Sequence, residues 1–362
     1  MINRRFTKDE LHTIDLLSDR EFYQYDTNPD LLINRANQLP GSIKWILIDE
    51  IQRVPRLLNV VHKLIEEKLI NFALTGSSSR KLRRGGANLL AGRAFVYNLF
   101  PLTHVELGEQ FNLDRVLSFG SLPKVFSLQT IEEKSLFLES YVHTYLKEEI
   151  VAEQLVRNLT PFRKFLQIAA QMNSQIINFS SIARDVGVDP NTVKTYFSIL
   201  EETHTGMLLE ASEKSVRKQQ SQAPKFYLFD TGVKRALDNN INADVSPQTY
   251  EYGRLFETFL INEIHRLNYY FRRNYVLSYL RTKDDAEIDL ILERKNEPPI
   301  LIEIKSKDQI NAIDTRSLDR FKDVFPKSRL LLLSLDSAAK RFGKVEALPW
   351  QMGLSELGLT KK

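Results

Sequence analysis

The sequence predicts a multi-domain α/β protein, and three observations support that class. The chain has 362 residues, which is enough to bury two or three separate cores. Near the N-terminus, two apolar strands flank an amphipathic helix at the spacing of a βαβ crossover, which predicts a parallel sheet. Towards the C-terminus, a long helix precedes three strands, a helix and a fourth strand. We expect domains at residues 1–125, 126–235 and 236–362.

The composition excludes several classes of protein. The chain has no cysteine, so disulfides and thiolate metal sites are excluded, as suits the cytosol. No stretch is long and apolar enough to span a membrane, and no export signal is visible, so we expect a cytoplasmic protein with no membrane partner. The net charge of +4 does not by itself indicate a nucleic-acid-binding protein. The basic residues are nevertheless concentrated, because residues 77–93 contain five of them and no acid.

The first predicted strand that carries candidate functional residues is Trp45–Asp49, which is followed by Glu50. Ligands of parallel sheets bind beyond the carboxyl ends of the strands, where Asp49 and Glu50 are expected to lie. The alternative is a strand that simply ends in a solvated acidic turn. The next predicted strand, residues 71–74, is followed by Thr75, a glycine and a run of serines, so carboxylates and hydroxyl groups are expected at one edge.

These segments resemble the prokaryotic AAA-type ATPases that carry a C-terminal domain of unknown function. The resemblance implies that Asp49 binds Mg²⁺ and that Glu50 activates the attacking water. It also implies that Ser77 or Ser78 senses the phosphate of ATP and that Arg93 acts as an arginine finger. The matching segments are Leu47 to Pro55, Leu74 to Ser78, Leu90 to Arg93 and Leu99 to Leu102.

The chain departs from this family at the Walker A P-loop. That loop requires G-x-x-x-x-G-K-[ST], because its backbone N–H groups and lysine hold the phosphates. The single Gly-Lys pair of the chain is Gly343-Lys344, which valine follows, and only ten residues precede the first predicted strand, Leu11–Leu17. We therefore expect a truncated P-loop-ATPase-like sheet that is impaired in binding and hydrolysing ATP. Its bared edge would favour self-association or a protein partner.

Periodic apolar residues predict helices through the first two domains. In the first domain we expect one at Phe22–Leu39 and another from Leu57 to Ile65. In the second we expect helices at Ser135–Arg157 and around Phe162–Met172, both with structural roles.

A helix-turn-helix pattern occupies residues 178–197, with Asp189 as the expected N-cap of the second helix and Pro190 at its first position. The strand-like segments 206–211 and 225–229 are expected to form the hairpin of a winged-helix module. Residues 191–195 would face DNA, although Glu201 and Glu202 end the same helix. DNA binding and a structural or protein-docking role both remain open.

The last domain contains a second group of candidate metal ligands. Glu257 lies on the helix predicted at residues 252–267, and Asp289 lies within an apolar strand. In the next strand, Glu303 and Lys305 share one face because strand side chains alternate. Three carboxylates form a hard-oxygen pocket suited to Mg²⁺, and the lysine would orient or activate a water. A solvated Glu-Lys pair is the simpler interpretation, but the apolar strand disfavours stray charges.

The order of elements and these residues resemble the PD-(D/E)xK nuclease superfamily, which predicts a restriction-endonuclease-like α/β domain. The resemblance implies a Mg²⁺-dependent nuclease acting on DNA. A non-catalytic remnant that docks DNA or protein is the remaining alternative.

Overall fold

The structure is a computed structural model that describes residues 9–67, 70–76, 90, 92–145, 159–212, 223–282, 286–321 and 324–360. The chain forms two compact units, Met1–Asn98 and Leu99–Lys362. Among the helices of the described ranges, none combines the length and hydropathy that a membrane span requires.

The first unit contains a parallel three-stranded sheet with the order β1-β2-β3, as the βαβ pattern predicts. Ile46 and Ile48 of the central strand are fully buried and pack against the first-unit core that includes Leu58 and Val61. The described elements are β1 (Leu11–Asp15), α1 (Asp19–Thr27), α2 (Leu31–Gln38), β2 (Trp45–Asp49), α3 (Leu57–Glu66) and β3 (Asn71–Leu74).

The prediction of a single helix at Phe22–Leu39 is wrong, because α1 and α2 are separate helices. Asn28, between them, has a φ of −141° and a ψ of 86°. Pro29 disfavours the helical conformation of the residue before it and lacks the N–H that would continue the ladder. The proline therefore divides the predicted helix in two.

The second unit begins with a helical region that leads into a small sheet. Its helices are α4 (His104–Leu107), α5 (Leu113–Phe119), α6 (Pro123–Ser127), α7 (Ile131–Ser140), α8 (Leu159–Gln171), α9 (Phe179–Val186), α10 (Pro190–Glu202) and α11 (Thr231–Leu237). The helix expected at Ser135–Arg157 ends early, since α7 gives way to a π turn at Tyr141–Tyr145 and residues 146–158 lie outside the described ranges.

The helix-turn-helix pattern is confirmed at the level of its elements. Asp189 caps α10 by accepting hydrogen bonds from the backbone N–H groups of Asn191 at 2.9 Å and Thr192 at 3.0 Å. The small sheet contains β4 (Gln175–Ile176), β5 (Gly206–Leu209) and β6 (Lys225–Leu228), and β6 pairs antiparallel with both others. We call residues 110–245, which include α9, α10 and this sheet, the middle module.

A six-stranded mixed sheet dominates the rest of the second unit, with the order β11-β12-β10-β9-β8-β7. One face packs against α12 and α14, and the other packs against the segment around α13. Neither the last two strands nor α14 were predicted. The elements are α12 (Tyr250–Tyr270), β7 (Val276–Arg281), β8 (Glu287–Glu293), β9 (Ile300–Lys305), α13 (Arg316–Phe321), β10 (Arg329–Ser334), β11 (Lys340–Phe342), β12 (Val345–Pro349) and α14 (Trp350–Glu356).

Candidate functional site

The C-terminal candidate residues meet where strands β8 and β9 stop pairing. The antiparallel ladder ends at Leu290 opposite Ile302, so Asp289 and Glu303 are the next residues along the two strands. Where the ladder has ended, the Ile304 N–H donates to Oδ2 of Asp289 at 2.8 Å. The side chain of Asp289 thus takes the place of a backbone acceptor.

Glu303 and Lys305 lie together, as strand alternation predicts. Lys305 Nζ is 2.6 Å from Oε1 of Glu303, whose side chain is only 6% exposed. Burial first and the neighbouring charge of Asp289 second raise the pKa of Glu303 to about 8, although Lys305 and the Ser317 hydroxyl oppose the shift. Burial lowers the pKa of Lys305, but Glu303 and Asp289 outweigh it and raise that pKa overall. Lys305 therefore remains a cation at neutral pH.

Glu257 belongs to a second group of charges beside the first. Its Oε1 accepts a 2.6 Å hydrogen bond from the Tyr227 hydroxyl and lies 3.3 Å from Lys225 Nζ. Lys225 also pairs closely with Glu287. Only 4% of the Lys225 side chain is exposed, yet Glu257 and the other nearby acids raise its pKa well above the usual value despite burial. This lysine is a buried, permanent cation.

Both groups of charges border one cavity of about 610 Å³, which we call the junction cavity. Asp289, Glu257 and Lys305 line it, whereas Glu303 is not one of its lining residues. Part of its wall comes from the middle module. The module residues that line it are Ser174, Gln175, Ile176 and Lys225.

The residues fit a divalent cation held by two carboxylates better than one held by three. Within the described ranges, no three His, Asp or Glu side chains converge closely enough to form a metal site. Oε2 of Glu303 is buried and, among the residues that the structure describes, has no hydrogen-bond partner of ordinary geometry. An unpaired carboxylate oxygen beside Asp289 suits Mg²⁺, which is commonly bound through one or two carboxylates, waters and substrate phosphates. Glu257, already engaged by Lys225 and Tyr227, is placed as a neighbour of this pair.

The candidate residues of the first unit lie at the carboxyl edge of its sheet. Asp49 ends the central strand, and its Oδ1 accepts a short hydrogen bond from the Thr75 hydroxyl. Glu50 follows in the left-handed conformation with a φ of 57°, and its carboxylate accepts a close hydrogen bond from Gln52. Both acids therefore have partners from this chain. Asp15, directly opposite Asp49 in the register, is a third carboxylate at this edge.

The three remaining predicted residues of the first unit have different outcomes. Arg93 forms an exposed ion pair with Glu66 at the end of α3. Ser77 and Ser78, the expected sensors of phosphate, lie outside the described residues, as does most of the basic stretch that follows them.

Helix α10 presents few free groups to a nucleic acid. Thr192 is held by the Asp189 carboxylate, and the Thr195 hydroxyl donates to the Asn191 carbonyl at 3.0 Å. Lys194 is exposed and lies over the Phe179 ring at 5.6 Å from its centroid. The Asp189 carboxylate occupies the helix N-terminus, where a phosphate would otherwise bind.

Sequence reasoning missed Lys225, Tyr227 and Glu287 as site residues. The signal was present for Lys225, because it begins the apolar segment Phe226–Phe229 and a charge there needs a partner. Glu287 precedes Asp289 by two residues on β8, so alternation places both on one face. What the sequence did not provide was the pairing of β6 with α12.

Three family models match successive parts of the chain. An AAA domain matches residues 1–108, a domain of unknown function (DUF8612) matches 110–245, and another domain of unknown function (DUF4143) matches 252–352. The AAA match and the C-terminal match agree with the resemblance found in the sequence.

The relatives are themselves uncharacterized proteins. Those of Mycobacterium tuberculosis and Mycobacterium bovis are each 27% identical over 265 residues, which is 72% of this chain and 58% of each relative. One from Methanocaldococcus jannaschii is 22% identical over 309 residues, covering 77% of this chain and 67% of the relative. The chain thus spans little more than half the length of the mycobacterial relatives.

Among solved structures, Can2 from Sulfobacillus thermosulfidooxidans in complex with cyclic tetra-adenylate is similar at 11% identity. The alignment covers 87% of this chain and 91% of Can2, with a TM-score of 0.23. A likeness this low supports no argument about function.

Proposed function

We propose that this chain, which matches an AAA domain at its N-terminus and a domain of unknown function at its C-terminus, carries in its C-terminal domain a Mg²⁺-dependent nuclease of the PD-(D/E)xK type. One observation carries this proposal. Asp289 and Glu303 directly follow the last paired residues of β8 and β9, Lys305 pairs with Glu303, and Asp289 and Lys305 line the junction cavity.

The side chains have distinct roles in this proposal. Asp289 and Glu303 bind the ion, and the Ile304 N–H fixes the orientation of the Asp289 carboxylate. A bound Mg²⁺ supplies Lewis-acid polarisation of the phosphoryl group and a more acidic water. Lys305, a cation that lines the cavity, positions a water or stabilises the charge that develops on the phosphate.

The first unit is the nucleotide-binding part of the family, but we propose that this chain is impaired in binding and hydrolysing ATP. The 362 residues contain no G-x-x-x-x-G-K-[ST] motif. Phosphoryl transfer depends on positioning the phosphates, and Asp49 and Glu50 alone do not supply that. We expect phosphate release from ATP no faster than with Asp49→Asn. Hydrolysis that Asp49→Asn abolishes would overturn this part of the proposal.

The nuclease is tested by incubating the full chain with labelled DNA and RNA in Mg²⁺ or Mn²⁺. We expect Asp289→Asn and Lys305→Met each to reduce cleavage by about 100-fold or more, because each removes a group that acts on the reacting phosphate. Lys340→Met is the matched control. Lys340 pairs with Asp336 at the far end of the same sheet and does not line the cavity.

Two results would count against the nuclease. One is cleavage that persists in Asp289→Asn, which would indicate a contaminating enzyme. The other is the absence of cleavage of every substrate in either metal, which would favour a non-catalytic docking role.

A further inference from the structure

The junction cavity has a wall that a nuclease domain alone would not provide. Ser174, Gln175 and Ile176 precede or belong to β4, and Lys225 begins β6, so this side comes from the middle module. The C-terminal domain contributes the carboxylate and lysine of the proposed catalytic centre, Asp289 and Lys305, to the same cavity. A substrate must therefore enter between two parts of the second unit.

Buried hydrogen bonds hold that wall in place. Asn173, which is 1% exposed, accepts from the Leu228 N–H of β6 at 2.8 Å and donates to Thr258 of α12 at 2.7 Å. Arg254 of α12 donates to the Gln171 carbonyl at 3.1 Å and to the Ser174 hydroxyl at 3.2 Å. Opening the wall would require these hydrogen bonds to break.

The dimensions of the cavity limit what can reach the carboxylates. A volume of about 610 Å³ is that of a site for one small molecule. A DNA duplex is a stiff rod that resists sharp bending, and its bases are stacked and paired. Enzymes with pockets of this kind act on single strands or on nucleotides taken out of the stack.

The lining residues also match a single strand. Two of the lining lysines, Lys305 and Lys307, are 35% and 56% exposed, so both can contact an anionic backbone. Tyr250, at the start of α12, is 79% exposed and lines the cavity, and the Arg254 guanidinium lies 5.7 Å from its ring centroid. Exposed aromatic rings beside cations are the platforms on which unpaired bases stack.

We propose that the junction cavity binds single-stranded nucleic acid, with one unpaired base stacked on Tyr250 and its phosphate directed towards Lys305. That the bound strand is a substrate rests on the proposed nuclease function, but binding of the strand does not require cleavage. We expect the wall from the middle module to keep a duplex away from Asp289, so that the strand enters unpaired.

The test separates binding from cleavage. Labelled single-stranded DNA and RNA of one sequence, and the same DNA annealed to its complement, are titrated with the full chain in EDTA while fluorescence anisotropy is measured. We expect single strands to bind at least tenfold more tightly than the duplex. Tyr250→Ala should weaken single-strand binding on the order of tenfold, and Tyr250→Phe should retain it, since a phenyl ring also stacks.

Tyr23→Ala serves as the control, because Tyr23 is a similarly exposed tyrosine, at 66%, that does not line the cavity. Duplex binding equal to single-strand binding, an unchanged affinity in Tyr250→Ala, or no measurable binding of any strand would each overturn the proposal. Binding that depends on Tyr250 without cleavage in Mg²⁺ or Mn²⁺ would instead support it while refuting the nuclease. The preference between DNA and RNA follows from the two single-stranded titrations.

Discussion

Replacing Lys225 with methionine should destabilise the second unit strongly, because it removes the cation between two acids. The lysine is 3% exposed and pairs with both Glu257 and Glu287. Breaking a buried ion pair from one side typically costs about 3–5 kcal/mol, since the other charge is left without compensation. The two acids are 19% and 25% exposed, so water relieves part of this cost and we expect about 3 kcal/mol.

Equilibrium unfolding in urea measures this difference. The chain has two tryptophans, Trp45 in the first unit and Trp350 buried in the second, so a Trp45→Phe background makes fluorescence report on the second unit alone. A loss of about 3 kcal/mol should also lower the thermal midpoint by roughly 6–12 °C for a unit of this size.

Two further variants, a double variant and a control, test the cause of this loss of stability. Adding Glu257→Gln to Lys225→Met should recover part of the loss, because one unpaired acid is then neutral. Lys340→Met breaks a pair whose lysine is 37% exposed and whose Asp336 carboxylate keeps hydrogen bonds from the Ile310 and Ala338 N–H groups, so it should cost less than Lys225→Met. If Lys225→Met and Lys340→Met unfold at the same urea concentration, the buried-cation argument is wrong.

Three other predictions concern the second unit and its junction. The Glu303 pKa of about 8 lies above its ordinary value of 4.5, so between these pH values the folded protein keeps a proton that the unfolded chain loses. The free energy of unfolding should therefore fall as pH rises from about 4.5 to 8, by at most about 1.4 kcal/mol per pH unit. Glu303→Gln should remove this decline in urea titrations across that range. Asn173→Ala should cost about 2 kcal/mol in urea unfolding by leaving the buried Leu228 N–H unpaired, whereas Asn242→Ala, whose amide bonds are exposed, should cost little. Gly232→Ala should sharply reduce the fraction of folded protein seen in thermal unfolding, because the new Cβ would lie 2.2 Å from the Phe119 carbonyl oxygen. Gly41→Ala is the control and should have no such effect, because a Cβ there meets no atom within 4 Å.

The sequence predicted most elements because their signals are local. Alternation and apolar runs identified the three strands of the first sheet and four of the six strands of the largest sheet, and the Asp189-Pro190 pair marked the start of α10. The failure at Phe22–Leu39 came from overlooking Pro29, whose effect outweighs helical periodicity. The last elements carry weak local signals, since β11 has only three residues and α14 has seven, one of which is Gly353.

The candidate site was predictable only in part, for a different reason. Asp289, Glu303 and Lys305 lie on neighbouring strands, so element order and alternation sufficed to bring them together. Lys225 begins strand β6 and is 32 residues from Glu257, which lies on helix α12, and no local pattern predicts that pairing. Contacts between modules depend on tertiary packing, which a single sequence does not encode in any short motif.

Lys225 belongs to the middle module but lies beside the carboxylates of the proposed catalytic centre, so the position of the module affects the charge there. Glu257 and Asp289 both raise the pKa of Lys225, so these charges act on one another across the junction cavity. Any movement that separates β6 from α12 would remove a positive charge from beside the carboxylates and make their ionised forms more costly. A divalent cation would then bind with a larger electrostatic gain, because it would replace the missing lysine. If Asp289 and Glu303 hold the metal as proposed, the junction of the two modules would therefore also influence metal affinity there.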